Sequence, residues 1–273
     1  MSDKFEAGLI HLAPISASLI FGVLCAFLVS TVEEFYRITP FPEGTLGSFG
    51  NAFYFVVLAG VGASLLYFLL KRKSHKLINL ITGFALTAAI FMLSIVYLSA
   101  AFSRFDVPYI EILTLVSSVL VTALADFAIF KTRSKVCDII VLCVGGALGA
   151  FLGFSIPTLS LTLILGFLSI YDVFAVYHGP VGKIARSGLE QLRGLSFSFR
   201  DLQMGLGDLT FYSMLSGHML LNFGVISCSA AMMGILLGCL LSFKLLEKKG
   251  MFPGLPFPVI FGLAMGYLVL LIS

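Results

Sequence analysis

The sequence predicts an all-α, polytopic membrane protein of nine transmembrane helices, and three observations carry that prediction. Of 273 residues, 59% are hydrophobic and 11% charged, whereas an ordinary soluble domain carries about 25% charged residues. Apolar runs near the roughly 20 residues that span the hydrocarbon core as a helix recur along the whole chain. Basic residues collect on alternate sides of those runs, as the positive-inside rule requires of a multi-pass protein.

The runs cover approximately Leu12 to Thr31, Ala52 to Leu70, Leu77 to Phe102, Ile110 to Phe130, Val136 to Phe154, Leu159 to Tyr177, Leu202 to Leu221, Val225 to Phe243 and Leu255 to Ile272. The first is too long and too weakly basic at its start for a cleaved signal peptide, and no small-residue cleavage site follows it, so it is expected to be retained. "GGALGAFLG" in the fifth run sets Gly145, Gly149 and Gly153 four apart, a small-residue face for close helix packing. Cys25, Cys137, Cys143, Cys228 and Cys239 lie in or at the edge of apolar runs without metal-ligand or CxxC spacing, and read as small core residues.

Sorting Lys and Arg by loop places 15 of the 17 on one side: Lys4; Lys71, Arg72, Lys73 and Lys76; Lys131, Arg133 and Lys135; Lys183, Arg186, Arg193 and Arg200; and Lys244, Lys248 and Lys249. The other side holds Arg37 and Arg104, with Glu33, Glu34, Glu43, Asp106 and Glu111. The N-terminus is therefore expected in the cytoplasm and the C-terminus outside, in the cell membrane. Membrane orientation accounts for the net charge of +3 and leaves no nucleic-acid partner to invoke.

Short connections favour a single transmembrane helical domain over residues 1–273, with helices one to six in about 12–177, a cytoplasmic loop at 178–201 and helices seven to nine in about 202–272. The Gly- and Pro-rich segment from Glu33 to Asn51 reads as an outer loop. In "LSFSFR", Leu195, Phe197 and Phe199 alternate with polar residues. That period fits either a short strand beside the membrane or an interfacial segment dipping its Phe side chains into lipid.

No Lys or Arg falls inside a span, so the acids there stand out: Asp126, Asp172 and Asp208, with Asp138 and Glu111 near ends. An intramembrane carboxylate costs about 3 kcal/mol on insertion scales and signals function by default. Asp172 lies about five residues, or ~8 Å, from the cytoplasmic end of the sixth run. Asp208 lies about six residues from the cytoplasmic start of the seventh, which runs the opposite way. If those helices pack together, the two acids meet at matching depth. Two carboxylates in contact share one proton. The ionised one then activates water while its protonated partner polarises a carbonyl, with no metal or cofactor required.

Around Asp208 the chain reads "GLGD", where Gly205 and Gly207 let backbone approach the acid and leave room for a substrate chain. Asp172 follows Tyr171, an aromatic of the type common at membrane interfaces. "FPGLPFP" at the mouth of the ninth run puts Pro253 and Pro256 around Gly254 and Leu255, which is helix-start chemistry that also leaves backbone groups for water or a substrate strand.

Tyr171-Asp172 on the sixth helix, Gly205-Leu206-Gly207-Asp208 on the seventh and Pro253-Gly254-Leu255-Pro256 at the ninth resemble the YD, GxGD and PAL elements of the presenilin and signal peptide peptidase family of intramembrane aspartyl proteases. Compact loops and the inferred orientation are most similar to archaeal-type presenilin homologues. The resemblance covers the chain in helix number and order, but its specific residues fall between 171 and 256. It departs at Gly254, where the family has Ala. It implies that Asp172 and Asp208 are the catalytic pair, that Gly205 and Gly207 shape the site, that Pro253 to Pro256 border the substrate cleft, and that transmembrane segments of other proteins are the substrates. Leu195 to Phe199 would add a strand to an extended substrate. A homo-oligomer is compatible with these residues, and no partner subunit is specified by them.

Alternatives fit less of the chain. An ion- or proton-coupled transporter or channel also uses intramembrane acids, and Asp126 suits it best, but broken helices are not paired as in inverted repeats. Prepilin peptidase shares a GxGD element without the YD helix or the proline-framed last helix. HExxH and GxSxG are absent, "HGPVGK" at 178–183 fails P-loop spacing, and His218 reads as a packed or pore-facing histidine.

Overall fold

The computed structural model describes residues 7–30, 39–72, 74–105, 108–131, 135–179 and 194–272. Most of the 178–201 loop lies outside these, as do Lys4, Glu33, Glu34, Arg37, Lys73, Asp106, Arg133, Lys183, Arg186 and Arg193 among the residues used for orientation. The helices are α1 (Leu12–Val29), α2 (Thr45–Lys71), α3 (His75–Phe102), α4 (Ile110–Lys131), α5 (Lys135–Ser155), α6 (Thr158–Tyr177), α7 (Leu206–Lys249) and α8 (Pro256–Ile272), with strands β1 (Ser196–Phe199) and β2 (Leu202–Gly205) before α7. Among the described residues, seven helices are long and apolar enough to cross a membrane, and α8 is a shorter apolar helix.

α7 spans 44 residues but is interrupted at Gly224, where φ is 86° and ψ −179°. Its two limbs fold back on each other. Leu215 and Ile235 both reach within 2.8 Å of the position a Gly262 Cβ would take, whereas in an unbroken helix they would stand about 30 Å apart. Met219 and Ala231 meet in the same way at Gly266. The expected seventh and eighth helices are these limbs, hinged at a backbone conformation that only glycine adopts readily.

Glycine also sets the closest helix contacts. A Cβ at Gly149 would fall 2.3 Å from the Thr210 carbonyl, and one at Gly153 2.6 Å from the Met214 carbonyl, so α5 and the first limb of α7 touch backbone to backbone. The other face of α5 meets α1 through Gly146 and Gly22, and the Ser18 hydroxyl donates to the Leu142 carbonyl across that contact (2.8 Å). The small-residue face expected of "GGALGAFLG" is therefore the central packing surface, and it fixes the limb that carries Asp208. All five cysteines are free.

Two helix starts differ from expectation by more than two residues, and the second limb of α7 continues to Lys249, six residues beyond the expected Phe243. Helix α2 begins at Thr45, seven residues before the expected start, so Thr45 to Asn51 is not loop. Glycines 47 and 50 dilute the hydropathy there while admitting Pro42 and the Phe41 ring against the helix. Asn51, fully buried, caps Phe41 at both its N–H and its carbonyl and donates to Ser160 of α6 (3.1 Å). The seventh helix begins at Leu206 and not at Leu202, because Leu202 to Gly205 pair antiparallel with Ser196 to Phe199.

Candidate active site

The β1–β2 hairpin delivers Asp208. Its register sets Phe197 opposite Met204 and Ser196 opposite Gly205, and the Leu206 N–H extends the ladder by donating to the Leu195 carbonyl (2.8 Å). A two-residue turn, with Arg200 at φ 54°, joins the strands. Phe197 is 1% exposed and belongs to the main core, with Leu195 and Phe199 packed on it. The Phe197 side chain is anchored in protein and the segment forms a strand, the first of the two sequence readings. The outward Ser198 N–H meets the Asp138 carboxylate of α5 (3.3 Å), so Asp138 ties down the outer edge of β1.

Asp208 occupies the first turn of α7. That is closer to the helix start than expected, since the four residues before Leu206 went to β2. Space around the preceding glycines is open: a Cβ on Gly205 or Gly207 would meet no atom nearer than 3.9 Å. Leu206 turns the other way, is buried and packs on Gly145.

Asp172, five residues before the end of α6, faces the turn before α8. Its Oδ2 accepts the Leu255 N–H (3.0 Å). The Asp208 carboxylate lies against the open side of Gly254, with Oδ2 2.9 Å from where a Cβ would sit. Acids from α6 and α7 thus converge on one dipeptide, close enough for their charges to interact. Pro253 and Leu255 are buried, Pro256 starts α8, and the Phe252 and Phe257 rings stack across the turn at 5.6 Å.

Tyr171 stands apart from this dipeptide contact. Its ring lies over Gly60 of α2, with the hydroxyl 3.6 Å from a Cβ position there. Asp126 is tied to α3 by the Thr87 hydroxyl (2.8 Å), its other oxygen buried without a hydrogen-bond partner. His218 is packed: Nδ1 is 2.7 Å from the Gly153 carbonyl and Nε2 3.0 Å from Thr158 Oγ1. Among the described residues, no group of three His, Cys, Asp or Glu side chains is arranged to hold a metal ion.

Sequence reasoning missed Tyr212. It is 1% exposed, its hydroxyl donates to the Gly254 carbonyl (2.8 Å), and it neighbours the Cys239 thiol. The available signal was its spacing, four residues after Asp208 and so on the same helix face.

Comparisons with known proteins return the same overall fold. The chain has a presenilin-like fold: a presenilin family intramembrane aspartate protease solved in space group C222 matches it with a TM-score of 0.69 and 18% identity, over 97% of this chain and 99% of that one. A presenilin family intramembrane aspartate protease solved in space group P2 matches with a TM-score of 0.68 and 19% identity, over 96% and 98%. No protein-family model matches the chain, and a search of curated proteins returns no significant match.

Proposed function

We propose that the chain is an intramembrane aspartyl endopeptidase that hydrolyses peptide bonds in transmembrane segments of other membrane proteins, with Asp172 and Asp208 as the catalytic pair. The observation that carries this reading is the convergence of both carboxylates on the Gly254–Leu255 dipeptide. One ionised carboxylate takes a proton from water as the oxygen attacks the scissile carbonyl; the protonated partner hydrogen-bonds the carbonyl oxygen. Collapse of the tetrahedral adduct breaks the C–N bond, and the proton first taken from water passes to the departing amine.

A helical substrate hides its carbonyls in intrahelical hydrogen bonds, so the scissile segment must become extended. The β1–β2 hairpin supports strand addition to that segment. With Asp138 holding the outer edge of β1, the substrate strand adds at β2, whose end leads through Gly205 to Asp208. In this reading the chain is one transmembrane domain of the cell membrane, the limbs of α7 cross it separately to give nine crossings, and the active site faces the cytoplasmic side.

The decisive experiment is cleavage of a single-pass substrate by purified Asp172→Ala and Asp208→Ala proteins. Each is expected to lose activity by at least about a thousandfold, as removal of an indispensable acid/base group does; full activity in either excludes the pair. For the hairpin, Phe197→Pro removes a ladder N–H opposite Met204. Cleavage is expected to fall about tenfold or more, and wild-type rates in the variant would rule out strand addition.

A further inference from the structure

One peptide unit is held at both ends. The carbonyl of Gly254 accepts from the Tyr212 hydroxyl (2.8 Å), and the N–H of the same peptide, that of Leu255, donates to Asp172 (3.0 Å). A peptide is planar, and in the trans form its C=O and N–H point in opposite directions. No peptide bond among the described residues is cis. Fixing the carbonyl therefore fixes the direction of the N–H, and a hydrogen bond at the carbonyl also polarises the amide and strengthens its donation.

The two neighbours of this dipeptide are prolines. They have no N–H to offer, so the turn presents its donors from Gly254 and Leu255. Tyr212 is itself immobilised, being 1% exposed and one turn along the helix that carries Asp208. The helix of one acid thus reaches the other acid through a single peptide.

We propose that Tyr212 is a positioning residue: through the Gly254–Leu255 peptide it aims the Leu255 N–H at Asp172 and so holds that carboxylate opposite Asp208. The proposal rests on the proteolytic reading for its kinetic consequence, while its structural content is independent of it. Without the hydroxyl the peptide can rotate about its flanking bonds, and Asp172 loses a fixed donor. Substrate contacts are left in place, so the effect falls on turnover.

The test uses the full chain in lipid nanodiscs, comparing wild type with Tyr212→Phe. Two quantities are measured: kcat and KM on a single-pass substrate, and the infrared band of the Asp172 carboxyl, assigned by difference against Asp172→Asn. A lost neutral hydrogen bond in a reacting geometry predicts a fall in kcat of about fivefold or more, with KM within about twofold, and a shift of the Asp172 band.

An unchanged kcat with an unchanged band overturns the proposal, as does a rise in KM alone. If wild type cleaves nothing, the proteolytic reading fails and the band decides: a shift upholds the positioning role and a constant band overturns it. If Tyr212→Phe does not fold, Tyr212→3,5-difluorotyrosine keeps the ring and makes the hydroxyl a stronger donor. The same band must then move, and a constant band overturns the proposal.

Discussion

Gly254 stands where a methyl group has no room. A Cβ there would lie 2.9, 3.0 and 3.1 Å from Oδ2, Cγ and Oδ1 of Asp208, and the short, packed side chain it meets can yield only by moving the carboxylate itself. Gly254→Ala is therefore expected to leave the fold intact and to lower kcat about threefold, since the carboxylate must give by a few tenths of an ångström and misplacing a reacting group slows turnover. The check is kcat on a single-pass substrate beside the melting temperature; unchanged turnover would show that Asp208 has slack. From sequence, alanine to glycine is a lost methyl and some backbone freedom, and nothing says which atom fills the space. The acids themselves were legible because a bilayer makes a carboxylate expensive, and Asp172 and Asp208 each lie among apolar residues near a helix end, although the structure puts Asp208 nearer its end than the hydropathy of the run suggests. Tyr212 was not, because a buried tyrosine on a helix looks the same whether its hydroxyl holds a functional turn or any carbonyl.

At the scale of elements, hydropathy located the spans and misjudged what joins them. The alternation in "LSFSF" left β1 as one of two readings, and its partner β2 reads Leu-Gln-Met-Gly, apolar enough to be absorbed into the following helix. Only pairing across the turn at Arg200 and Asp201 assigns those residues to a strand, and the hydropathy of the four residues themselves does not show that pairing. Glycines 47 and 50 misled in the opposite direction, lowering the apparent helix signal where they serve close packing against Phe41 and Pro42. Gly224 is the clearest case of a residue whose role lies in its backbone. With φ 86° and ψ −179° it sits in a region essentially reserved for glycine, where another residue costs about 1–3 kcal/mol. No atom lies within 4 Å of where its Cβ would be, so the cost of a substitution is backbone strain and not a clash. Gly224→Val is therefore expected to lower the unfolding free energy in detergent by roughly 1–3 kcal/mol, read as a fall in the denaturation midpoint; a midpoint equal to wild type would mean that the reversal does not need this conformation.

For the whole molecule, the reversal at Gly224 decides parity. Crossing the bilayer once, Leu206–Lys249 would leave an even number of crossings and return the C-terminus to the cytoplasm. Crossing as two antiparallel limbs, it gives nine, and with a cytoplasmic N-terminus the chain ends outside. The basic residues fit the second reading: Lys244, Lys248 and Lys249 lie in the last turns of the second limb, which under the positive-inside rule would put the connection to α8 on the cytoplasmic side. The Pro253 to Pro256 turn in that connection is the one that Asp172 and Asp208 touch, so the position of the site and the orientation of the chain are a single question. Fusions at Ser273 answer it: alkaline phosphatase is expected to be active there and green fluorescent protein dark, with the opposite result for fusions at Lys248. A fluorescent C-terminal fusion would mean an even number of crossings.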